Sequence, residues 1–395
     1  MAVALVLFIL ALVGHGWLWV GLINRLHASG ISRTACEWLT VASFVGGTVI
    51  PLLYLGPLAG DIAVLGGRRW LAVSWPGAVY VGLCWVAGVA AIQGWLRQHV
   101  FARPPAVIRS LRSRLHRIGR PSPTDQPHPG HDHHFLVHLP GNEMLQLDVV
   151  ERALEIDRLP TPLEGVRIAH LSDLHFSGRI GKAYFQEVVR LANELQPDLV
   201  AITGDLIDKN DCIDWIPETL GRLQACYGVY FVLGNHDLWI DHRRLRRTLT
   251  DCGLIDVGGR WLPIRVRDES IILAGNELPW FSPAADLATV PRQSTDGRPL
   301  RVALCHSPDQ FQWCRAGDVD LMLAGHNHGG QIRIPLVGPI FAPSRWGVKY
   351  ASGTFHSPPT VMHVSRGISG KTPLRMNCPP ELGCLVLHAP GVASG

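Results

Sequence analysis

Three long apolar runs without a single charged residue constrain this chain more than any other feature: Ala2 to Ile23, Trp38 to Gly60 and Trp70 to Leu96. Each exceeds the roughly 20 residues that a helix needs to cross about 30 Å of hydrocarbon. Trp17, Trp19, Trp38, Trp70 and Trp95 lie near the run ends, where amphipathic rings favour the membrane interface. Pro51, Pro57 and Pro76 would weaken soluble helices, but membrane helices tolerate proline. No positive segment precedes the first run and no A-x-A site closes it, so it reads as a span and not as a cleaved signal peptide. His15, inside that run, reads as a packed neutral histidine.

Arg97, Arg103, Arg109, Arg112, Arg114, Arg117 and Arg120 come after the third run. The positive-inside rule puts this segment, together with the chain beyond it, in the cytoplasm. Arg25 and Arg33 in the first loop agree, whereas Arg68 and Arg69 in the second do not. Pro104, Pro105, Pro121, Pro123, Pro127 and Pro129 then break any long helix, and His128, His131, His133, His134 and His138 cluster among them. Such a tract can bind metal. Its stronger reading is a solvated tether. The net charge of +4 gives no global basic character, so nucleic acid is not an expected partner. The nine cysteines are scattered without a C-x-x-C pair, which argues against both a thiolate zinc site and a disulfide framework.

From about Met144 a different pattern starts. Val166–Leu171, Asp198–Thr203, Gly228–Leu233, Val302–Leu304 and Leu321–Ala324 read as short apolar strands, with an amphipathic helix over Gly181–Leu195. Each strand ends in polar residues: Asp173 and His175, Asp205, Asn235, His306, and His326 with His328. Open α/β sheets bind ligands at this edge. Oxygen and imidazole donors without thiolates suit Mn, Fe or Zn in a catalytic site. Residues i and i+2 of an extended segment share a side, so Asp173-x-His175 and His326-x-His328 could each face one centre. A carboxylate such as Asp205 can bridge two cations. Two cations about 3.5–4 Å apart clamp a phosphoryl group and activate water.

The blocks Ser172-Asp173-Leu174-His175, Gly204-Asp205-Leu206-Ile207-Asp208, Gly234-Asn235-His236-Asp237, His306 and Gly325-His326-Asn327-His328 resemble, in order, those of the calcineurin-like metallophosphoesterase superfamily. The resemblance runs from Val166 to Leu387. Gly329-Gly330-Gln331, Ser365–Ile368 and Leu374–Glu381 are similar to its YkuE-like, membrane-associated bacterial branch. Asn327 stands where many members carry threonine. The resemblance implies one metal on Asp173, His175, Asp205 and His328, and a second on Asp205, Asn235, His306 and His326. It makes His236 the general acid, oriented by Asp208, and a metal-bridging hydroxide the nucleophile. Arg366 and Arg375 could grip a phosphate oxygen.

The reading is then an α/β chain: a metallophosphoesterase-type β-sandwich flanked by helices, preceded by three transmembrane helices. Its parts are a membrane region over 1–96 (helices about 2–23, 38–60 and 70–96), a basic Pro/His-rich linker over 97–143 and a catalytic domain over 144–390. It is expected to be a multi-pass inner or plasma membrane protein with a cytoplasmic catalytic domain. It would use two divalent or trivalent ions (Mn, Fe or Zn) to hydrolyse a phosphodiester or pyrophosphate, in a lipid or lipid-linked substrate. Its partners would be that phosphorylated substrate and membrane lipids. A phosphoprotein phosphatase and a non-catalytic membrane-anchored scaffold are the alternatives.

Overall fold

A computed structural model describes residues 2–65, 75–101, 104–118, 135–293 and 297–391, with the backbone alone over 54–65. The chain divides into two compact units, residues 1–103 with 343–349, and residues 104–342 with 350–395.

The first unit contains α1 (Ala2–His27), α2 (Arg33–Leu65) and α3 (Trp75–His99). All three are long and apolar enough to cross a membrane. Large side chains such as Val3, Ile9, Leu52 and Val86 point outward, as a lipid solvent permits. α1 and α3 approach closely because Gly14 lacks a side chain: a Cβ there would sit 1.7 Å from the Cys84 carbonyl oxygen. His15 ties the three helices together, with Nδ1 2.5 Å from the Tyr80 hydroxyl and Nε2 2.8 Å from the Gly47 carbonyl oxygen. The helices extend beyond the uncharged runs; α2 begins at Arg33, which pairs with Glu37 one turn on. The expected start of the third span, Trp70 to Ser74, lies outside the described residues.

The second unit is built on two mixed sheets. Across the first run β1 (Ile108–Arg117), β2 (Gln146–Glu155), β15 (Glu381–His388), β3 (Arg167–Leu171), β4 (Leu199–Thr203), β5 (Val229–Val232) and β6 (Ile255–Asp256). Across the second run β13 (Gly353–Ser357), β14 (Thr360–Val364), β10 (Leu321–Ala324), β9 (Leu300–Cys305), β8 (Glu269–Asn276) and β7 (Trp261–Val266). Strand alternation distributes the core. Ile168, Leu199, Ala201, Tyr230 and Val232 of the first sheet pack with Leu273, Val302, Leu304 and Leu323 of the second. Their neighbours Ala169, Val200, Ile202 and Phe231 face the other way, onto α4 (Lys182–Glu194). That helix buries Tyr184, Phe185, Val188, Val189, Leu191 and Ala192, one face at helical spacing. On the far face of the second sheet, Ala303, Met322 and Met362 pack with Phe311 and Cys314 of α5 (Phe311–Ala316).

The expected linker over 97–143 is in part a strand. β1 pairs antiparallel with β2 along its length, from Ile108 opposite Leu154 to Arg117 opposite Gln146. Its side chains are mostly exposed and polar, so no period-2 apolar pattern marks it. Backbone pairing holds it, with Arg109 on Glu155 at 2.8 Å and Ser113 on Asp148 at 2.5 Å. Charged side chains also protect such an edge from pairing with another chain. Arg109, Arg112, Arg114 and Arg117, which the sequence presents as a topology signal, thus belong to the sheet. His128, His131, His133 and His134 lie outside the described residues.

Candidate metal centre

The parallel strands β3, β4 and β5 of the first sheet and β9 and β10 of the second bring their C-terminal ends together. The loop after each carries the expected polar residues. The backbone there is not extended, contrary to the i, i+2 reading of the two D-x-H and H-x-H pairs. Asp173, His175, Asp205, His326 and His328 all adopt positive φ, between 48° and 70°. For residues with a Cβ this region costs on the order of 1–3 kcal/mol each and persists only where surrounding contacts over-determine it. Those contacts are backbone hydrogen bonds between neighbouring loops: Asp173 N donates to Gly204 O at 3.0 Å and His175 N to Asp205 O at 3.0 Å. Left-handed turns, not strand alternation, aim the pairs.

The structure gathers all seven expected ligands in two groups that share Asp205. Donor atoms of Asp173, His175, Asp205 and His328 lie within 4.8 Å of one another, as do those of Asp205, His306 and His326. Asn235 Oδ1 is 3.1 Å from His306 Nε2. Asp205 Oδ2 faces both groups, 3.6 Å from His175 Nε2 and 3.3 Å from His306 Nε2. A Cβ on Gly234 would sit 2.2 Å from Asp205 Oδ1, so the Asn235 loop can close on the carboxylate only through glycine.

Hydrogen bonds at the outer ring nitrogens set the tautomers. His328 Nδ1 lies 3.2 Å from Ser369 O and 3.4 Å from Arg375 Nη2. His306 Nδ1 lies 2.7 Å from Thr203 O; a carbonyl only accepts, so Nδ1 carries a proton and Nε2 is the atom that an ion would meet. His175 Nδ1 meets the Asp208 carboxylate at 3.0 Å with the same result. Inward nitrogens then confront one another, His175 Nε2 and His328 Nε2 at 3.2 Å, His326 Nδ1 and His306 Nε2 at 3.1 Å. Lone pairs converging at that distance fit ligands about 2.0–2.1 Å from a shared ion.

The electrostatics carry the same demand for positive charge. Burial opposes charging His175, but Asp208, Asp205 and Asp173 outweigh it and raise the imidazole to about 9. His306 is likewise raised to about 9 against its burial, chiefly by Asp205 and Asp173. Asp173 is pushed up by burial and by the Asp205 charge, whereas imidazoles hold Asp205 well down despite burial. Buried carboxylates beside imidazoles that hold protons tightly are what a cation site leaves when protons substitute for its ions. The donor set therefore fits two metal ions.

His236 and Asp208 stand at the rim. Asp208 Oδ1 is 2.7 Å from His236 Nδ1, so Nε2 is the free end of that half-buried ring. His236 N donates to Asp205 Oδ1 at 2.8 Å, which fastens the rim to the shared carboxylate.

Other contributors have no role assigned from the sequence: Asp237 closes the Gly234-Asn235-His236-Asp237 block, while Trp239 and Trp280 lie outside every block. Asp237 is fully buried and accepts from Leu206 N, Ile207 N and Gly234 N at 2.8–3.1 Å, cross-linking two ligand loops. Burial and the neighbouring Asp205 raise it to about 7. The Trp280 ring packs 4.9 Å from His326 and 5.4 Å from His306, and Trp239 lies 4.6 Å from His236. Arg366 and Arg375 are not aimed at a substrate. Arg366 is spent on Glu381 at 2.6 Å and Asp148 at 2.7 Å. Arg375 is wholly buried and donates to the carbonyls of His328 at 3.0 Å, Arg366 at 2.7 Å and Ser369. His170 and His363, which match none of the five blocks, are buried; His170 Nε2 is 2.8 Å from the Thr203 hydroxyl.

Comparison with known proteins bears on the same segment. The family profile for calcineurin-like phosphoesterases matches residues 166–330. Over 230 residues the chain is 30% identical to the phosphodiesterase YaeI of Escherichia coli (strain K12), covering 56% of this chain and 82% of that protein. It is 29% identical over 250 residues to the uncharacterized metallophosphoesterase YkuE of Bacillus subtilis (strain 168), covering 62% of this chain and 86% of the other. A transmembrane protein with metallophosphoesterase domain from Danio rerio is 30% identical over 198 residues, 47% of this chain and 45% of that one.

Proposed function

The chain belongs to the calcineurin-like phosphoesterase family, and on that premise we propose that it hydrolyses a phosphodiester or pyrophosphate in a lipid or lipid-linked substrate, with two metal ions. Asp173, His175, Asp205 and His328 would hold one ion, and Asp205, Asn235, His306 and His326 the other. When bound, such ions supply Lewis-acid stabilisation of phosphoryl charge and an activated water. The observation that carries the reading is Asp205 Oδ2, which faces the histidines of both groups.

His236 acts on the leaving group. Asp208 fixes its Nδ1–H, so Nε2 is the atom that delivers a proton to the departing oxygen. Trp280 and Trp239 shield the imidazoles from water on their flanks. The diester preference rests on the likeness to a phosphodiesterase. The lipid preference rests on the three membrane-length helices, which hold the site near a bilayer. The arginines after α3 support a cytoplasmic catalytic unit at an inner or plasma membrane, since the positive-inside rule acts during insertion whatever those residues later pack against.

The test is a metal assay on the purified full chain, then a panel of phospholipids, lipid-linked pyrophosphates, bis-(p-nitrophenyl) phosphate and phosphopeptides. Two ions per chain and turnover of a lipid substrate are expected. Turnover of soluble diester with none of any lipid would remove the lipid assignment; preference for phosphopeptides would make it a protein phosphatase. No turnover at all with metal bound would leave a scaffold.

A further inference from the structure

The chain after His328 forms a small ribbon whose root and tip differ sharply. β11 (Arg333–Ile334) pairs with β12 (Gly338–Pro339). The root is fastened to the ligand loop: Arg333 Nε donates to Gly329 O at 2.9 Å, Arg333 N to Met376 O at 2.9 Å and Asn377 Nδ2 to Arg333 O at 2.9 Å. The tip is apolar and in the open. Leu336 is 88% exposed and Val337 49%, with Ile332, Ile334, Phe341 and Met376 also exposed. Leu336 has φ +65°, a turn conformation that glycine or asparagine fills more easily. Turn geometry therefore does not account for a leucine there.

We propose that this ribbon, Ile332 to Phe341, seats in the headgroup and outer acyl region of the bilayer, with Leu336 and Val337 deepest. An apolar patch of this kind on a soluble surface marks a contact site. Two observations select lipid as the occupant. Residues 334–344 carry no charge and only Ser344 as a polar side chain, and Arg345, Trp346 and Lys349 come at once after them, the order of residues that lie in a membrane interface. Moreover, no carboxylate occurs between Asp320 and Glu381, while Arg345, Lys349 and Lys371 in that stretch are exposed, which suits anionic headgroups. The chain's own membrane-length helices keep a bilayer tethered to it. Because the root begins beside His328, a seated ribbon holds the approach to that ligand against lipid. This placement is independent of which substrate is turned over.

The experiment uses the full chain in vesicles of phosphatidylcholine and phosphatidylglycerol, with exposed Cys226 replaced (Cys226→Ser). A bimane fluorophore is attached at Leu336→Cys, at Val337→Cys as a second reporter, and at Glu194→Cys on exposed α4 as the aqueous control. Lipid-borne nitroxide should quench both ribbon positions several-fold more than position 194, and aqueous iodide several-fold less. Iodide access equal to that at 194 would overturn the proposal. Protection from iodide without nitroxide quenching would overturn it too, by showing the ribbon covered by protein, such as a second copy.

Discussion

The carboxylate of Asp208 accepts from His236 Nδ1 at 2.7 Å through the same oxygen, Oδ1, that lies 3.0 Å from His175 Nδ1. One atom thus orients both the rim histidine and a candidate ligand. Burial works against the charge of Asp208, but the two imidazoles hold it well below the usual carboxylate range.

This sharing separates two variants. His236→Ala removes a proton donor and no ligand, so turnover should fall by about 10²–10⁴ while metal content stays unchanged. Asp208→Asn loosens His175 as well, so it should lose turnover and also about 10–100-fold in metal affinity. Kinetics paired with elemental analysis of each purified variant distinguishes them; identical metal affinity in the two would refute the shared role.

Asp205→Asn should cost more than loss of any other single ligand. Its Oδ2 faces both groups, and an amide cannot donate charge to two ions at once. The expected result is fewer than two ions per chain at saturation and no measurable hydrolysis. Retention of both ions would contradict the bridging position.

Metal binding should release protons. With His175 and His306 raised from 6.5 to about 9, the ion-free site carries protons through neutral pH that incoming cations must displace. Calorimetric titration at pH 7.5 in buffers of different ionisation enthalpy should report that release. The same shifts set a sign for stability. A folded-state value above the unfolded one stabilises the protein fully below about 6.5, and that contribution is lost as pH climbs to about 9. The melting temperature of the chelator-treated protein should therefore drop across that window. A flat profile would contradict the protonated site.

Glu381 lies wholly buried between Arg152 and Arg366, each at 2.6 Å. Burial opposes its charge, but the two guanidiniums outweigh it and keep the group ionised. Glu381→Gln would leave the buried Arg152 without its carboxylate and Arg366 with Asp148 alone, so a loss of about 3–5 kcal/mol is expected. Denaturant unfolding of the catalytic unit measures it. A change under about 1 kcal/mol, which is typical of exposed pairs, would show that the cluster is solvated.

Much of the site is readable in the sequence because its information is local. A short apolar strand leading into polar residues announces a strand end, and Asp173, His175, Asp205, Asn235, His306, His326 and His328 each follow such a strand, with glycine just before Asp205, Asn235 and His326. Strand alternation is the wrong reason for the two spaced pairs: five of the candidate ligands turn through left-handed backbone, which nearby carbonyls impose from other loops. Arg375 resembles a phosphate ligand in the sequence because charge usually means exposure. Its burial depends on carbonyls of His328, Arg366 and Ser369 that fold around it.

By itself, the amino-acid order determined three membrane-length helices, the α/β fold class and the set of candidate donor groups, since each depends on hydropathy or residue type within a short window. Tertiary structure alone decided that Ile108–Arg117 is a strand, that Asp205 faces two clusters, and that the ribbon after His328 presents leucine to its surroundings. β1 shows why. Its own side chains bury little, so its conformation comes from hydrogen bonds to β2, which begins 29 residues beyond the end of β1 (146 minus 117). Pairing energy of that kind is invisible until the partner is in place.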